Sequence, residues 1–261
     1  MTDLVERLVP NELWVLIRRV VPPTEAIGPQ SGGRRRSGDR EALAAIIFVA
    51  TSGCTWRQLP PVFGRSWQTV YRRFAQWSRT RVWARLHRVI LDGLGARGEL
   101  DWSRCAIDSV SIRAVKGASE TGPKPTGLPL SLGISGANTH DSQSLEPLVR
   151  GIPPIRSRRG PGRRLPAKLH ADKGCDYDHL RRWLRKRGIR HRIARKGIGS
   201  SQRLGRHRWV VERTASWLVG CSRLHRRYER KAEHSLAFAG IAAALICNRG
   251  LVRVDGQEQS A

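Results

Sequence analysis

The apolar spacing of this chain changes character once, near Arg104, and that change sets what the chain can become. Before it, apolar residues recur at helical spacing; after it, short β-branched runs alternate with polar positions. In the first half, Leu4, Leu8, Leu13, Leu16, Ile17 and Val20, interrupted by Pro10 and stopped by Pro22 and Pro23, predict a short packed helix. Asp39 stands as the N-cap of a helix through Ala50, ended by Ser52 and Gly53. A short helix over 55–59, a turn at Phe63 and Gly64, a helix from Ser66 to about Ser78, and another over 82–95 complete this half. Beyond Arg104, strands are predicted over 105–112, 128–135, 167–171 and 190–195. Helices are predicted over 142–150, 177–187, about 200–218 and 232–248, the last packing against the sheet. Strands first, then strands alternating with helices, predict an α/β unit. The expected division is an all-α domain over 1–98, an α/β domain over 99–251 and a frayed tail over 252–261.

Charge narrows the partner. Lys and Arg number 48 against 21 Asp and Glu, a net charge of +27, with an isoelectric point near 11.6. Neutralising phosphates releases condensed counterions, so such an excess favours a polyanion. Only seven of the basic residues are Lys, and arginine forks suit phosphate and bases, although a GC-rich genome gives the same bias. Apolar residues make up 39% of the chain, too many for a disordered basic tail. The wholly apolar runs at 42–50 and 237–247 fall short of the roughly 20 residues of a membrane span. The first residues carry no secretory pattern. Five Cys without a C-x-x-C pair read as reduced, mostly buried thiols of a cytosolic protein, not a zinc knuckle.

Helix, tight turn at Phe63 and Gly64, then the helix from Ser66 to about Ser78 is the outline of a helix-turn-helix, whose second helix enters the major groove. Its outward face would be Gln68, Arg72, Arg73 and Gln76, with Val70, Phe74 and Trp77 packed inward. Gln and Arg form bidentate contacts with adenine and guanine edges. A three-helix unit with a basic surface also occurs without DNA. Arg34, Arg35 and Arg36 lie in a Gly- and Arg-rich loop over 28–38, either a phosphate-touching arm or a solvated linker, and 156–164 is a second basic loop.

In so basic a chain, a carboxylate in an apolar or arginine-rich setting is informative. Asp108 follows Cys105, Ala106 and Ile107 in the first predicted strand, where an unpaired carboxylate is costly to bury. Asp172 ends the strand at Ala171 and leads into Lys173 and Gly174; Glu212 lies inside a helical run from Arg208 to Thr214. Three such carboxylates can hold two magnesium ions through oxygen ligands. Ions roughly 3.5–4 Å apart would activate a water or 3′-hydroxyl for in-line phosphoryl displacement. Plainer roles stand beside these: Asp108 paired with Arg113 or Lys116, Asp172 capping a turn, Glu212 pairing with Arg208. His140 and Asp141 end a strand and cap the next helix. His170 would share a sheet face with Asp172, Trp209 and Trp217 are core or a stacking platform, and Cys221 with His225 lacks a matching metal pair.

The segments AIDSVSIRA around Asp108, LHADKGCDYDHLRRWLRKRGI around Asp172 and GRHRWVVERTASWL around Glu212 resemble the three signature regions of bacterial insertion-sequence transposases of the DDE class, insertion-sequence-five type. ISGANTHDSQ, RRYERKAEHSLAFAGIAAALIC and the N-terminal TSGCTWRQLPPVFGRSWQTVYRRFAQWSRTRVWARL are similar to the same family, so the resemblance spans about residues 4–251. It implies a ribonuclease-H-like catalytic domain with Asp108, Asp172 and Glu212 as catalytic and metal-binding residues. It implies Mg²⁺, with Mn²⁺ able to substitute, and an enzyme that binds the ends of its element, cleaves there and transfers the strands to target DNA. Partners would be terminal inverted repeats, target DNA and a second copy of the chain, in a bacterial cytoplasm at the nucleoid and away from membranes. One departure stands out: GPKPT at 122–126 runs straight into Gly127, Leu128 and Pro129, so one strand of the expected sheet is missing. The alternative reading is therefore an internally deleted, catalytically impaired transposase acting only as a DNA-binding protein. A nuclease that cuts without joining is a further rival.

Overall fold

A computed structural model describes residues 4–22, 38–107, 128–136, 139–197, 220–224 and 228–258, with side chains to 252. The N-terminal helix is two, α1 (Leu4–Leu8) and α2 (Asn11–Arg18), because Pro10 cannot continue the first and instead sets the N-cap of the second. The Arg40 guanidinium donates to the Val9 carbonyl at 2.8 Å and fastens that joint to α3 (Asp39–Ser52). Gly38, not Asp39, is the N-cap of α3, and Gly53 ends it with φ +73°, a conformation glycine adopts without cost. Eight residues of α3 are buried, so it runs through the helical core rather than along its surface.

The short helix expected over 55–59 is a single 3₁₀ turn, Trp56–Gln58, whose Gln58 Oε1 accepts the Thr55 N–H at 2.9 Å. Ser66 caps α4 (Trp67–Arg79) by accepting the Thr69 N–H, and Val70, Phe74 and Trp77 point inward as the spacing predicts. α5 (Val82–Ala96) lies against the C-terminal helix, numbered α8 below, in the most extensive helix pairing among the described residues.

Among the described residues the sheet has three parallel strands in the order β1-β2-β3: β1 (Cys105–Ala106), β2 (Lys168–Ala171) and β3 (Arg190–Ile193). Leu169, Ala171 and Ile193 face α6 (Asp141–Gly151) and α7 (Asp178–Lys186), which bring Leu145, Val149, Leu180 and Leu184 to the same small core. α7 crosses from β2 to β3, as a parallel connection requires.

Three expectations are corrected. Residues 128–136 form no strand: Leu128 and Leu130 pack on the helical core, and the Pro129 carbonyl lies 2.8 Å from His87 Nε2, so helices have taken the groups a sheet partner would use. The C-terminal helix α8 (Ala232–Glu258) packs on α5, α4 and α3, not on the sheet. Gly240 makes this possible, since a Cβ there would press on Trp83, and Phe238 stacks on Phe74 at 4.7 Å between ring centres. α8 also continues to Glu258, so helix covers most of the tail expected to fray. Its stretch over Ala232–Val252 is long and apolar enough to cross a membrane, yet 67% of the apolar window within it is buried by this chain's own helices.

Candidate active site

The carboxyl ends of parallel strands are where sheets of this kind bind ligands. Asp172 stands at that end of β2, the central strand, with its side chain exposed. Its Oδ1 accepts the Gly174 N–H at 3.0 Å, making Asp172 the N-cap of the turn Lys173–Cys175. A Cβ on Gly174 would meet that same oxygen, so glycine is what lets the carboxylate fold back onto the turn. The neighbouring strand approaches closely: Ile107, one residue before Asp108, donates its N–H to the His170 carbonyl, two residues before Asp172, at 2.9 Å. His170 is half-buried on the sheet face away from Leu169 and Ala171.

A second carboxylate reaches the same end of the sheet from another element. Burial pushes the Cys175 thiol up to about 11, and the adjacent charges of Asp172 and then Asp141 act in the same direction. Asp141 sits in the first turn of α6, and His140 caps that helix by accepting the Ser142 N–H at its Nδ1. The His140 ring stands edge-on to Tyr177, over which Lys196 lies 4.6 Å from the ring centre. Asp176 is different. Arg181 grips it with two nitrogens, the Lys196 N–H donates to its other oxygen at 2.8 Å, and these partners hold its carboxyl below the usual range. Asp176 is thus committed to the architecture, whereas Asp172 faces solvent.

Asp172 fits a hard divalent cation as one exposed oxygen donor. Asp108 and Glu212 lie outside the described residues, as do Arg34, Arg35, Arg36, Trp209, Trp217 and His225. Among the described residues no cluster of three His, Cys, Asp or Glu could hold a metal ion. Cys221 is buried, and that burial pushes its thiol up to about 11. His140 and Asp141, the HD pair of ANTHDSQ, stand at the start of α6 as the expected cap, and Asp141 also lies close enough to Cys175 to act on its thiol.

On the helical side, the expected reading face divides. Gln68 and Arg72 are exposed, and Gln76 is half-buried. Arg73 turns away from solvent: its guanidinium lies 3.2 Å from Asp39, with only 10% of the side chain exposed, and caps the Trp77 ring at 5.9 Å. Arg73 therefore ties α4 to the start of α3.

Residues 9–87 match a family described as "Putative transposase of IS4/5 family", and residues 124–247 match one described as "Transposase DDE domain". Residues 88–123, which include Asp108, lie outside both matches. A relative from Burkholderia cepacia described as "Putative transposase for insertion sequence element IS402" is 40% identical over 155 residues, covering 53% of this chain and 74% of the relative. A 16.2 kDa protein of the same insertion element is 40% identical over 119 residues, 45% of this chain and 81% of the relative. An uncharacterised Sinorhizobium fredii protein, y4sN, is 32% identical over 105 residues, 40% of this chain and 74% of its own. No solved structure matches the chain.

Proposed function

The chain belongs to the insertion-sequence transposases of the DDE class, and from that premise we propose that it binds the ends of an insertion element, cleaves the DNA there and transfers the freed strands to a target. The observation that carries the reading is Asp172: an exposed carboxylate at the carboxyl end of the central parallel strand, inside the stretch matched by the DDE domain. Asp108 and Glu212 complete its ligand set in this reading, and residues 99–251 form a ribonuclease-H-like catalytic unit. Mg²⁺, or Mn²⁺ in its place, supplies Lewis acidity toward the scissile phosphate when bound. The chain's own residues do the rest. Asp172 is held ready by the Gly174 N–H, and Asp176 with Arg181 fixes the following loop, so the carboxylate needs no rearrangement to receive its ligand.

Residues 1–98 serve as the DNA-binding unit in this proposal, with α4 presented to the major groove. Gln68, Arg72 and Gln76 read base edges, Arg34, Arg35 and Arg36 touch the backbone, and Arg73 acts by steadying the helix that carries the others. Two element ends call for a homodimer or higher assembly on DNA, working at the nucleoid in the bacterial cytoplasm.

The test is Mg²⁺-dependent cleavage of DNA carrying the element's own ends, with Asp172→Asn and Asp108→Asn alongside. Cleavage by the parent chain that both variants lose, with end-binding intact, is the expected result. Cleavage retained by Asp172→Asn would sink the site. A second reading, DNA binding without catalysis, draws on residues 128–136, which join the helical core instead of the described sheet. Salt-sensitive end-binding with no cleavage in either metal would decide for it.

A further inference from the structure

The basic loop at 156–164 is an ordered hairpin. Ile155 and Arg163 exchange both backbone hydrogen bonds, at 2.8 and 2.7 Å, closing a short antiparallel hairpin. Its tip is fixed from within: the Ser157 hydroxyl lies at 2.8 to 3.1 Å from the carbonyls of Arg159, Gly160 and Pro161, and Gly160 turns the chain with φ +84°. Its base is anchored from below. Ile155 is fully buried in the helical core, and Asp92 of α5 accepts the Arg156 N–H at 2.9 Å. Gly95 lets the Arg156 carbonyl lie directly on α5, where any Cβ would overlap it. Arg164 spends its guanidinium on the carbonyls of Ile152 and Arg150.

The other four guanidinium groups have no such use. Arg156, Arg158, Arg159 and Arg163 are exposed, and no carboxylate pairs with any of them among the described residues. Four like charges on a braced hairpin repel one another unless a polyanion lies across them. All are Arg, whose planar fork takes phosphate oxygens two at a time. The backbone is already ordered, so binding need not bear the entropy of ordering a flexible loop. The hairpin also enters β2 from its N-terminal end, whereas Asp172 leaves from the other.

We infer that the 155–163 hairpin is a second, sequence-independent DNA grip that holds duplex backbone phosphates at the end of β2 opposite the cleavage site. This rests on the reading of the chain as a DNA-binding transposase but names a surface that reading does not use. The experiment is fluorescence anisotropy of the full chain on labelled duplexes carrying the element's ends and on random duplexes of equal length, across a salt series. Arg158, Arg159 and Arg163 are replaced together by Gln, then by Lys. The Gln variant should weaken both duplexes by the same factor and lower the slope of log K against log salt by about 2 to 3, roughly 0.9 per lost phosphate contact. The Lys variant should recover most of that slope, because charge is restored. Unchanged affinity and slope on both duplexes, or a loss confined to the element's ends, would overturn the hairpin proposal. An Arg72→Ala variant that keeps full preference for the ends would sink the α4 reading and leave the hairpin standing. A parent chain that binds neither duplex would remove both.

Discussion

Around α5, ring meets ring: Phe74 stacks on Phe238, Trp56 lies 5.1 Å from Phe74 and Trp77 stands edge-on to Trp83 at 5.6 Å. Around β2 the buried packing is mainly aliphatic and falls on one face, and the carboxylates of Asp141, Asp172 and Asp176 gather at its carboxyl end. The helical core draws on residues from Val5 to Leu251, while the sheet core draws on Leu145 to Ile193 with Cys105 and Ile107 at its margin. Aromatic burial supplies large, geometrically specific contacts. A small aliphatic core between charged rims supplies less. The difference teaches where cohesion resides: the helical body carries stability, and the sheet carries the exposed carboxylate of Asp172 at the end of its central described strand.

The sharpest way to break this comparison is Phe74→Ala, expected to cost about 3–5 kcal/mol, as a deleted buried ring does. Denaturant titration of the full chain should show the loss, and a cost under about 1 kcal/mol would mean the helical core is not the main source of cohesion. Next is Arg223, which sits 5% exposed where the chain rejoins the helical body. It donates to the Cys54 carbonyl at 2.7 Å and to Glu229, and lies over the Tyr228 and Phe238 rings. Arg223→Ala removes a buried guanidinium together with its bonds to the Cys54 carbonyl and Glu229, and should cost about 3 kcal/mol in the same titration.

The third prediction uses acid. Burial of His87 lowers its pKa from 6.5 to about 4, against the raising effect of its bond to Pro129. The unfolded chain therefore binds this proton first as pH falls. Stability should be insensitive to His87 above pH 6.5 and decline by about 1.4 kcal/mol per unit between about 6.5 and 4. Melting curves of His87→Gln against the parent across that window should remove this share of the slope; identical slopes would show that His87 does not report on the core. Least affected should be Arg182→Ala on the sheet rim. Its side chain is exposed, and the change should stay within about 0.5 kcal/mol in the same titration.

Local signals in the sequence reached local structure. Ser66 before the 3.6-period run of Val70, Phe74 and Trp77 marked α4 well, because capping and periodicity are both written within a few residues. The alternation at 168–171 and the amphipathic run through Leu180 and Leu184 marked β2 and α7 for the same reason. What depended on distant partners was read poorly. Residues 128–135 alternate like a strand, yet His87 and the α5–α8 groove claim them. The Ala-rich run of α8 looked like a helix for covering a sheet, and nothing local says that Gly240 matches Trp83 of α5. The place of Asp172 at the end of β2, capping the next turn, is legible from the alternation before it and the Lys173-Gly174 after it. Arg73 was misjudged as outward because its partner, Asp39, belongs to another helix.

The place of α8 sets a timetable for folding. Ala96 and Ala232 are separated by 136 residues, so at about 5–20 residues per second roughly 7–27 s pass between the making of α5 and of the helix that covers it. Through that interval Phe74 and Trp83 present a bare apolar seam on the nascent chain, an invitation to chaperones and to neighbouring nascent chains alike. The helices α3, α4 and α5 are covered only once α8, made later, is in place. A ribosome that halts before residue 232 thus releases a helical body without its keystone, and quality control, not DNA, becomes its first partner.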